Sequence, residues 1–419
     1  MAQSAVGTWE DHVSLNNCVT VAEMGGKIYS SNFSSVIIYD KDDGTYEKLN
    51  KSNGLSDVGI LFMLKNDNNN KIIVVYENSN IDVIYPDGKT ANFPDIFRKN
   101  YSGKKNINSI IFKNNLAYLS CGFGIAVFDT EKLEIKDTYI IGPGGSNLEV
   151  VQLAANDSMF YAATPNGLLK CNYVKTIPND FNSWSKAGSN LPNGYFGHVV
   201  NYNNTIIAGY SPFKQSAIGN QDTLYQFTNG AWSVFPYLSL PYHIKKLKVT
   251  GSLLYIIDQF GSLFLNENFN NVAYITQYQN KNASPNDAMR YNNLYWIADQ
   301  NYGLLYTAGS SPFYEQKFIS VNGTNRSLVS NIDFNKDRIV VAPAHVDQGG
   351  GATYSKEGVN ILEDNEWRYL RKEGTPEDSI TDLVWAYFDR KDKSRLWVSS
   401  WIFGLMEFKN DNLIKVYNG

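Results

Sequence analysis

The sequence predicts an all-β fold, a β-propeller of four-stranded antiparallel blades. Two observations lead to this prediction. A short unit of apolar strand, turn and apolar strand recurs nine times along the 419 residues, and no pattern of helical period interrupts the units. The composition agrees, because aromatic residues make up 14% and charged residues only 19% of the chain, a balance that favours strands over helices.

The repeat is clearest at the central hairpin of each unit. Good copies are "KIIVVYENSNIDVIYP", "LAYLSCGFGIAVFD" and "RLWVSSWIFGLMEF". Successive copies are 44, 45, 43, 46, 48, 40, 45 and 57 residues apart. The equivalent positions are Tyr29, Ile73, Tyr118, Tyr161, Ile207, Tyr255, Tyr295, Val340 and Trp397. A period in the forties is typical of a propeller blade, whereas a leucine-rich-repeat solenoid has a period of roughly 20 to 29 residues.

Each unit also has a strand before and a strand after its hairpin. "INSIIFKNN" and "KKLKVTGS" are examples of the preceding strand, and "GTYEKLN" and "GAWSVFP" of the following one. Four such strands, joined by turns rich in Asn, Asp and Gly, form an antiparallel meander. A lone meander exposes two faces and two edges, so we expect the meanders to pack radially as blades around an axis.

The number of units exceeds the about four to eight blades of a common ring. We expect a seven-bladed ring that closes near residues 324–330, with eight or nine blades as alternatives. The predicted organisation is an N-terminal segment over 1–19, blades over 20–329, and two further units over 330–419. Those two units either complete the ring or start a second propeller.

The stretch "GTWEDHVSLNN" at residues 7–17 places Trp9, Glu10, Asp11 and His12 side by side. These residues would suit an active site, but they also resemble the outer strands "AWSVFP" and "EWRYLRK", where an aromatic residue is followed by alternating ones. Propellers can close their ring by pairing an N-terminal strand with the last blade. We therefore predict a ring-closing strand, with Trp9 and Asp11 on one face and Glu10 and His12 on the other.

Composition excludes several function classes. The net charge is −4 and the lysines are scattered, which argues against a nucleic-acid partner. No run of about 18 apolar residues is present, so no helix is expected to span a membrane. Cys18, Cys121 and Cys171 are far apart and predict buried free thiols, not a disulfide framework. The small, polar start "MAQSAVG" is consistent with the mature N-terminus of an exported protein.

Motifs for catalysis or metal binding are weak. The four histidines show no spacing that would place two ligands on one metal. They are His12, His198, His243 and His345. The run "DKDDG" lacks the Gly and Glu positions of a calcium loop, and "DQGGGATYS" lacks the lysine and helix of a phosphate loop. We expect no cofactor and no metal. Carboxylates brought together from distant blades leave a propeller glycosidase or polysaccharide lyase as a minor alternative.

A binding surface is the better prediction. In a propeller the turns between the second and third strands of all blades emerge at one end. The residues at these turns are Phe33, Asn80, Phe123, Asn166, Phe260, Tyr302 and Trp401. Aromatic members would stack on sugar rings or on a partner's side chains, and polar members would bond hydroxyl groups. The alternative is that the aromatic rings fold back and pack between blades.

Several stretches also resemble a known family. "GTWEDHVSLNN", "NGLSDVGI", "AYLSCGFGIAVFD", "DTYIIGPGG" and "YAATPNGLLK" are similar, in order and spacing, to the N-terminal β-propeller region of the PorZ family. These proteins are surface components of the type IX secretion system of Bacteroidetes. "WVSSWIFGLMEF" extends the resemblance to the end of the chain.

The resemblance implies an exported, non-catalytic protein at the outer-membrane surface or in the periplasm. Its implied partners are the proteins of the surface-attachment complex, in particular the sortase that joins cargo to anionic lipopolysaccharide, and lipopolysaccharide or another glycan. Family members have two propellers and a C-terminal β-sandwich, and the sequence stops at "KVYNG" before such a sandwich, which suggests a truncated chain or a shorter relative. The alternative is an oligosaccharide-sensing periplasmic propeller of a hybrid two-component system, which would continue into a membrane helix and a kinase.

Overall fold

The computed structural model describes residues 12, 14–212, 222–236, 243–311, 314–325, 328–343, 349–371 and 379–417. Over these residues, 38 strands form nine four-stranded antiparallel sheets and one two-stranded sheet. The predicted all-β fold is confirmed. The chain divides into two compact units, Asn17–Ile319 and a second that combines Ser320–Gly419 with Met1–Asn16. We call them the propeller unit and the C-terminal unit.

In the propeller unit the described residues form seven four-stranded sheets, each built of four consecutive strands, which we number as blades 1 to 7. Blade 1 is β1 Thr20–Met24, β2 Lys27–Ser31, β3 Ser35–Tyr39 and β4 Tyr46–Asn50. Blade 2 is β5 Ile60–Asn66, β6 Lys71–Tyr76, β7 Ile81–Ile84 and β8 Thr90–Phe93, followed by helix α1 Asp95–Arg98. Blade 3 is β9 Ile107–Lys113, β10 Leu116–Cys121, β11 Gly124–Asp129 and β12 Glu134–Tyr139.

The remaining four blades continue in chain order. Blade 4 is β13 Gln152–Ala155, β14 Met159–Thr164, β15 Gly167–Asn172 and β16 Trp184–Lys186. Blade 5 is β17 Phe196–Tyr202, β18 Thr205–Tyr210, β19 Thr223–Thr228 and β20 Ala231–Val234. Blade 6 is β21 Ile244–Thr250, β22 Leu253–Asp258, β23 Ser262–Leu265 and β24 Asn271–Ile275, followed by the hairpin β25 Gln277–Tyr278 and β26 Lys281–Asn282. Blade 7 is β27 Pro285–Tyr291, β28 Leu294–Asp299, β29 Gly303–Thr307 and β30 Gln316–Phe318.

The seven blades form a closed ring, because blade 7 packs against blade 1 through β27 and β1. Blade faces are joined by apolar clusters. Between blades 6 and 7, for example, the Phe264 ring meets Tyr295 edge to face with centroids 4.6 Å apart, and Ile257 and Ile297 are fully buried beside them. Since both faces of a blade are covered, inner strands such as β6 are apolar at nearly every position and do not alternate.

The Asn-rich turns have a conformational reason. In the turns Gly25–Gly26, Asn203–Asn204 and Asn292–Asn293, both residues have positive φ. This is the type I′ hairpin geometry, which matches the twist of paired strands and favours Gly and Asn.

The described residues of the C-terminal unit form two four-stranded sheets that pack on each other through an apolar cluster. The first is β31 Val329–Asn335, β32 Arg338–Pro343, β33 Val359–Glu363 and β34 Glu366–Leu370. The second is β35 Leu383–Phe388, β36 Arg395–Ser400, β37 Gly404–Lys409 and β38 Asn412–Tyr417. Its boundary at residue 320 precedes the predicted one at residue 330.

Two N-terminal residues of the C-terminal unit contact residues of its Ser320–Gly419 part. The His12 ring lies edge-on to Trp367, with centroids 5.5 Å apart, and Asn16 Nδ2 donates to the Asn325 carbonyl oxygen at 2.6 Å. Neither His12 nor residues 14–19 form a strand. The other positions of the predicted ring-closing strand, including Trp9, Glu10 and Asp11, lie outside the described residues.

Candidate functional site

Two kinds of loop lie at one end of the propeller unit. The turns between second and third strands meet the loops that lead into the next blade, as antiparallel strand order requires. Gly59 N donates to the Phe33 carbonyl oxygen at 2.8 Å, and Gln300 N donates to that of Ser284 at 2.9 Å. We call this end of the ring the turn face. It contains six of the seven predicted site residues.

Three aromatic residues of the turn face lie on consecutive blades of the closed ring. Phe33 of blade 1 is 52% exposed and Phe260 of blade 6 is 42% exposed. Blade 7 lies between these two blades, and its Tyr302 is partly exposed. We call these three residues the aromatic arc. Asn166 of blade 4 is exposed as well, but it lies on a blade that does not neighbour the arc.

Two predicted site residues are not at the surface. Phe123 is fully buried, and its ring stacks on Tyr101 at a centroid distance of 4.2 Å. Asn80 is 5% exposed, and its Oδ1 accepts hydrogen bonds from Ile81 N at 3.0 Å and Asn92 Nδ2 at 2.9 Å. The long loop between blades 2 and 3 places Tyr101 over Phe123, so the predicted ligand contact of Phe123 is corrected to a packing role. The predicted ligand contact of Asn80 is corrected to a hydrogen-bonding role within blade 2.

Tyr302 is held by its own blade and by the hairpin β25–β26 that precedes it. Its ring lies edge-on to Tyr278 at 6.0 Å and to Phe318 at 6.1 Å, and Lys281 Nζ lies 5.1 Å from its centroid. A cation over an aromatic face is attractive and orients the ring. Trp401, the seventh predicted residue, is 55% exposed and belongs to the C-terminal unit.

Two buried carboxylates that the sequence patterns did not single out hold residues of the arc. Asp258 Oδ1 accepts from Phe260 N at 2.6 Å, and Asp299 Oδ1 accepts from Tyr302 N at 3.1 Å. Burial raises the pKa of Asp258. In the sequence both β22 and β28 end in Asp followed by Gln259 or Gln300, but this shared pair does not show that the Asp is buried. These carboxylates cap backbone N–H groups, which is a structural task.

Polar side chains on the first strands link neighbouring blades around the ring axis. Asp287 of blade 7 accepts from Thr20 Oγ1 of blade 1 at 2.8 Å, and it pairs with Lys248 at 2.5 Å and Lys246 at 3.2 Å from blade 6. Burial alone would raise the pKa of Asp287, but the two ammonium groups lower it to about 2. Asp287 is therefore a charged link among three blades.

A second polar link joins blades 4, 5 and 6. His198 Nε2 lies 2.9 Å from the Ile244 carbonyl oxygen, and its Nδ1 lies 3.3 Å from Gln152 Oε1. Gln152 Nε2 donates to the Leu247 carbonyl oxygen at 3.0 Å. Gln152 thus reaches from blade 4 to blade 6.

The described part of the chain contains no group of three or more His, Cys, Asp or Glu side chains placed to hold a metal ion. It also contains no helix long and apolar enough to cross a membrane. Cys18, Cys121 and Cys171 are buried free thiols, as predicted, and burial raises the pKa of Cys18 to about 12.

The closed ring of four-stranded blades defines a seven-bladed β-propeller whose turn face presents aromatic side chains. Residues 28–185 match the family model described as "TSS9, PorZ, N-terminal beta-propeller domain". This match confirms the resemblance to the PorZ family that the sequence shows. No curated protein sequence matches the chain.

Solved structures share the fold. PorZ of Porphyromonas gingivalis, an essential surface component of its type IX secretion system, is 19% identical with a TM-score of 0.79, covering 99% of this chain and 53% of that one. The extracellular domain of a putative hybrid two-component system from B. thetaiotaomicron is 14% identical with a TM-score of 0.52, covering 97% of this chain and 53% of that one. The chain thus spans about half the length of both structures.

Proposed function

We propose that this chain is a non-catalytic binding and scaffold module of a type IX secretion and surface-attachment complex, exported to the outer-membrane surface or the periplasm. The family match over residues 28–185 supports the assignment to this system. The aromatic arc supports a binding role, since exposed aromatic rings grouped at one end of a rigid ring are typical of recognition surfaces.

The arc is suited to recognition because its residues are held before a ligand arrives. The backbone of Phe260 and of Tyr302 is fixed by a buried carboxylate, and the Phe33 carbonyl oxygen accepts from Gly59 N and Ile60 N. Val58, 45% exposed, lies next to Gly59 in the chain and enlarges the apolar surface beside Phe33. Pre-ordering of this kind lowers the entropic cost of binding.

The finer proposal is that the arc binds a surface glycan, anionic lipopolysaccharide, or the sortase of the attachment complex. Sugar rings stack on aromatic faces, and protein partners insert side chains between them. Binding of purified lipopolysaccharide micelles and of purified sortase should be measured separately, because one surface can serve either ligand.

The test is the double variant Phe33→Ala with Phe260→Ala. We expect it to weaken binding of one of the two probes by about tenfold or more, as loss of two exposed aromatic contacts implies. The matched control is Val174→Ala with Ile177→Ala, since these side chains are 66% and 67% exposed on a loop between third and fourth strands, at the other end of the ring. Equal affinities for the double variant and the unmodified chain would overturn the proposal, as would an equal loss in the control.

The non-catalytic part needs its own experiment. Incubation with a panel of polysaccharides should leave the chain length of every polymer unchanged. Cleavage of any of them would contradict the proposal and support a propeller lyase or glycosidase.

A further inference from the structure

The loop between blades 2 and 3 carries a concentration of positive charge. Its segment "DIFRKNYSGKK", residues 95–105, contains four cationic side chains and one carboxylate, whereas the chain as a whole has a net charge of −4. We call this segment the basic loop. Its cationic residues are Arg98, Lys99, Lys104 and Lys105, and its carboxylate is Asp95.

The basic loop lies on the turn face. Ser79 Oγ, in the turn between the second and third strands of blade 2, donates to the Lys105 carbonyl oxygen at 3.0 Å. Gly122 N, in the equivalent turn of blade 3, donates to the Asn106 carbonyl oxygen at 2.9 Å. The loop is therefore at the same end of the ring as the aromatic arc, but on blades 2 and 3, whereas the arc belongs to blades 6, 7 and 1.

Packing beneath the basic loop fixes its position. Ile96 is fully buried, and the Tyr101 ring stacks on Phe123 with centroids 4.2 Å apart. Lys105 Nζ donates to the Phe97 carbonyl oxygen at 2.6 Å, so this cation is used inside the loop. The remaining three cations are thus presented on a backbone that is already held, which lowers the entropic cost of binding.

These three cations have no carboxylate partner. Arg98, Lys99 and Lys104 are exposed, and none of them forms an ion pair with a carboxylate of the residues that the structure describes. The cation Lys246 differs, since it is paired with Asp287 at 3.2 Å. Like charges held on one short loop repel each other, so an anion bound there would relieve their repulsion.

Phe97 adds an apolar contact to this charge. It is 43% exposed and directly precedes Arg98 in the chain. Lys105 Nζ lies over its ring, 5.9 Å from the centroid, so one ring face is not open for a sugar to stack on. An acidic peptide segment that also contains apolar residues suits this surface, because it supplies a carboxylate for the planar fork of Arg98 and a side chain for Phe97.

We propose that the basic loop is a docking surface for an acidic segment of a partner protein. Carboxylates of the segment pair with Arg98, Lys99 and Lys104, and one of its apolar side chains packs on Phe97. Because the cations are exposed, the affinity decreases as the salt concentration rises. The aromatic arc takes no part in this contact, so the two surfaces serve different ligands.

The first experiment measures binding of a labelled synthetic peptide, rich in Glu and containing Leu, by fluorescence anisotropy. The triple variant Arg98→Gln, Lys99→Gln and Lys104→Gln should bind this peptide about tenfold more weakly than the unmodified chain, as loss of three exposed ion pairs implies. The same peptide with Gln in place of Glu should also bind about tenfold more weakly to the unmodified chain.

The matched control removes three cations from the other end of the ring. It is the triple variant Lys41→Gln, Lys132→Gln and Lys175→Gln, at exposed positions in loops between third and fourth strands, and it should bind the Glu peptide as the unmodified chain does. Equal losses in the two triple variants would overturn the proposal. So would failure of the Glu peptide to bind the unmodified chain at about 0.01 M salt, where screening is weak.

The second experiment separates a protein segment from a polyanionic glycan. Phe97→Ala should weaken binding of the Glu peptide about threefold, because it removes the apolar contact, and Phe97→Leu should retain most of the affinity. Peptide binding that is unchanged in Phe97→Ala would overturn the proposal, and heparin binding that the first triple variant loses would then assign the loop to a polyanionic glycan.

The arc variant, Phe33→Ala with Phe260→Ala, keeps this proposal distinct from the proposed function. It should bind the Glu peptide with unchanged affinity, since the arc belongs to other blades. A loss of peptide binding in the arc variant that equals the loss in the first triple variant would place the peptide on the arc and overturn the proposal.

Discussion

Asp287 of the last blade accepts a hydrogen bond from the Thr20 hydroxyl of the first blade at 2.8 Å, across the seam where the ring closes. The same carboxylate accepts from Val21 N at 3.3 Å, and Thr20 Oγ1 in turn accepts from Met63 N of blade 2 at 3.4 Å. The seam is thus held by side chains as well as by packing of β1 on β27.

Replacing Asp287 by Asn should destabilise the chain by about 3 kcal/mol, since it leaves the ammonium groups of Lys246 and Lys248 without their carboxylate. Urea unfolding followed by tryptophan fluorescence measures the change. Asp42→Asn, at an exposed turn, is the control and should stay within about 0.5 kcal/mol of the unmodified chain. Similar losses in the two variants would show that the seam carboxylate has no special role.

The stability of the chain at low pH should depend on the same carboxylate. Because the pKa of Asp287 falls from 3.8 to about 2 on folding, its stabilisation is complete above pH 3.8 and is lost as the pH falls towards 2. The unfolding free energy of Asp287→Asn should therefore depend less on pH over this interval. Parallel curves for the variant and the unmodified chain would refute the assignment.

Phe123 and Phe33 occupy equivalent turns and should respond differently to truncation. Phe123→Ala removes a fully buried ring that stacks on Tyr101, and we expect a loss of about 4 kcal/mol. Phe33→Ala removes a ring that is 52% exposed and should change stability by about 0.5 kcal/mol or less. Thermal melts of both variants measure the two losses of stability. A larger loss for Phe33→Ala than for Phe123→Ala would contradict the prediction.

Gly124 at the start of β11 has a φ of 144°, and a Cβ there would collide with the Tyr139 carbonyl oxygen. Gly124→Ala should therefore lower the free energy of unfolding by about 3 kcal/mol, because the backbone at Tyr139 must shift and the alanine must adopt a strained φ. The control Gly88→Ala meets no atom within 4 Å at a φ of 81° and should cost about 1 kcal/mol. Equal costs, measured by urea unfolding, would show that the collision is relieved.

The fold could be predicted because blades that cover each other's faces need apolar runs at a fixed period, as in residues 72–76 of β6. Which turn residues are exposed could not be predicted from the sequence. Phe33 and Phe123 follow the same pattern in sequence, and only the tertiary position of Tyr101, 22 residues before Phe123, buries one of them. The buried Asp258 and Asp299 were missed because a turn Asp resembles any solvated one until its partners are known.

The consecutive origin of the strands in every blade has a mechanical consequence. In the propeller unit no strand crosses from one described sheet to another, and the chain enters the ring at the seam, where Cys18 N donates to the Asp299 carbonyl oxygen at 3.0 Å. Because blades 7 and 1 share no strand, the ring is held shut by contacts between two separate sheets, among them those of Asp287 and Cys18. A covalent crosslink between the first and last blades should therefore stabilise the closed ring, since it would replace these contacts by a bond that persists in the unfolded chain.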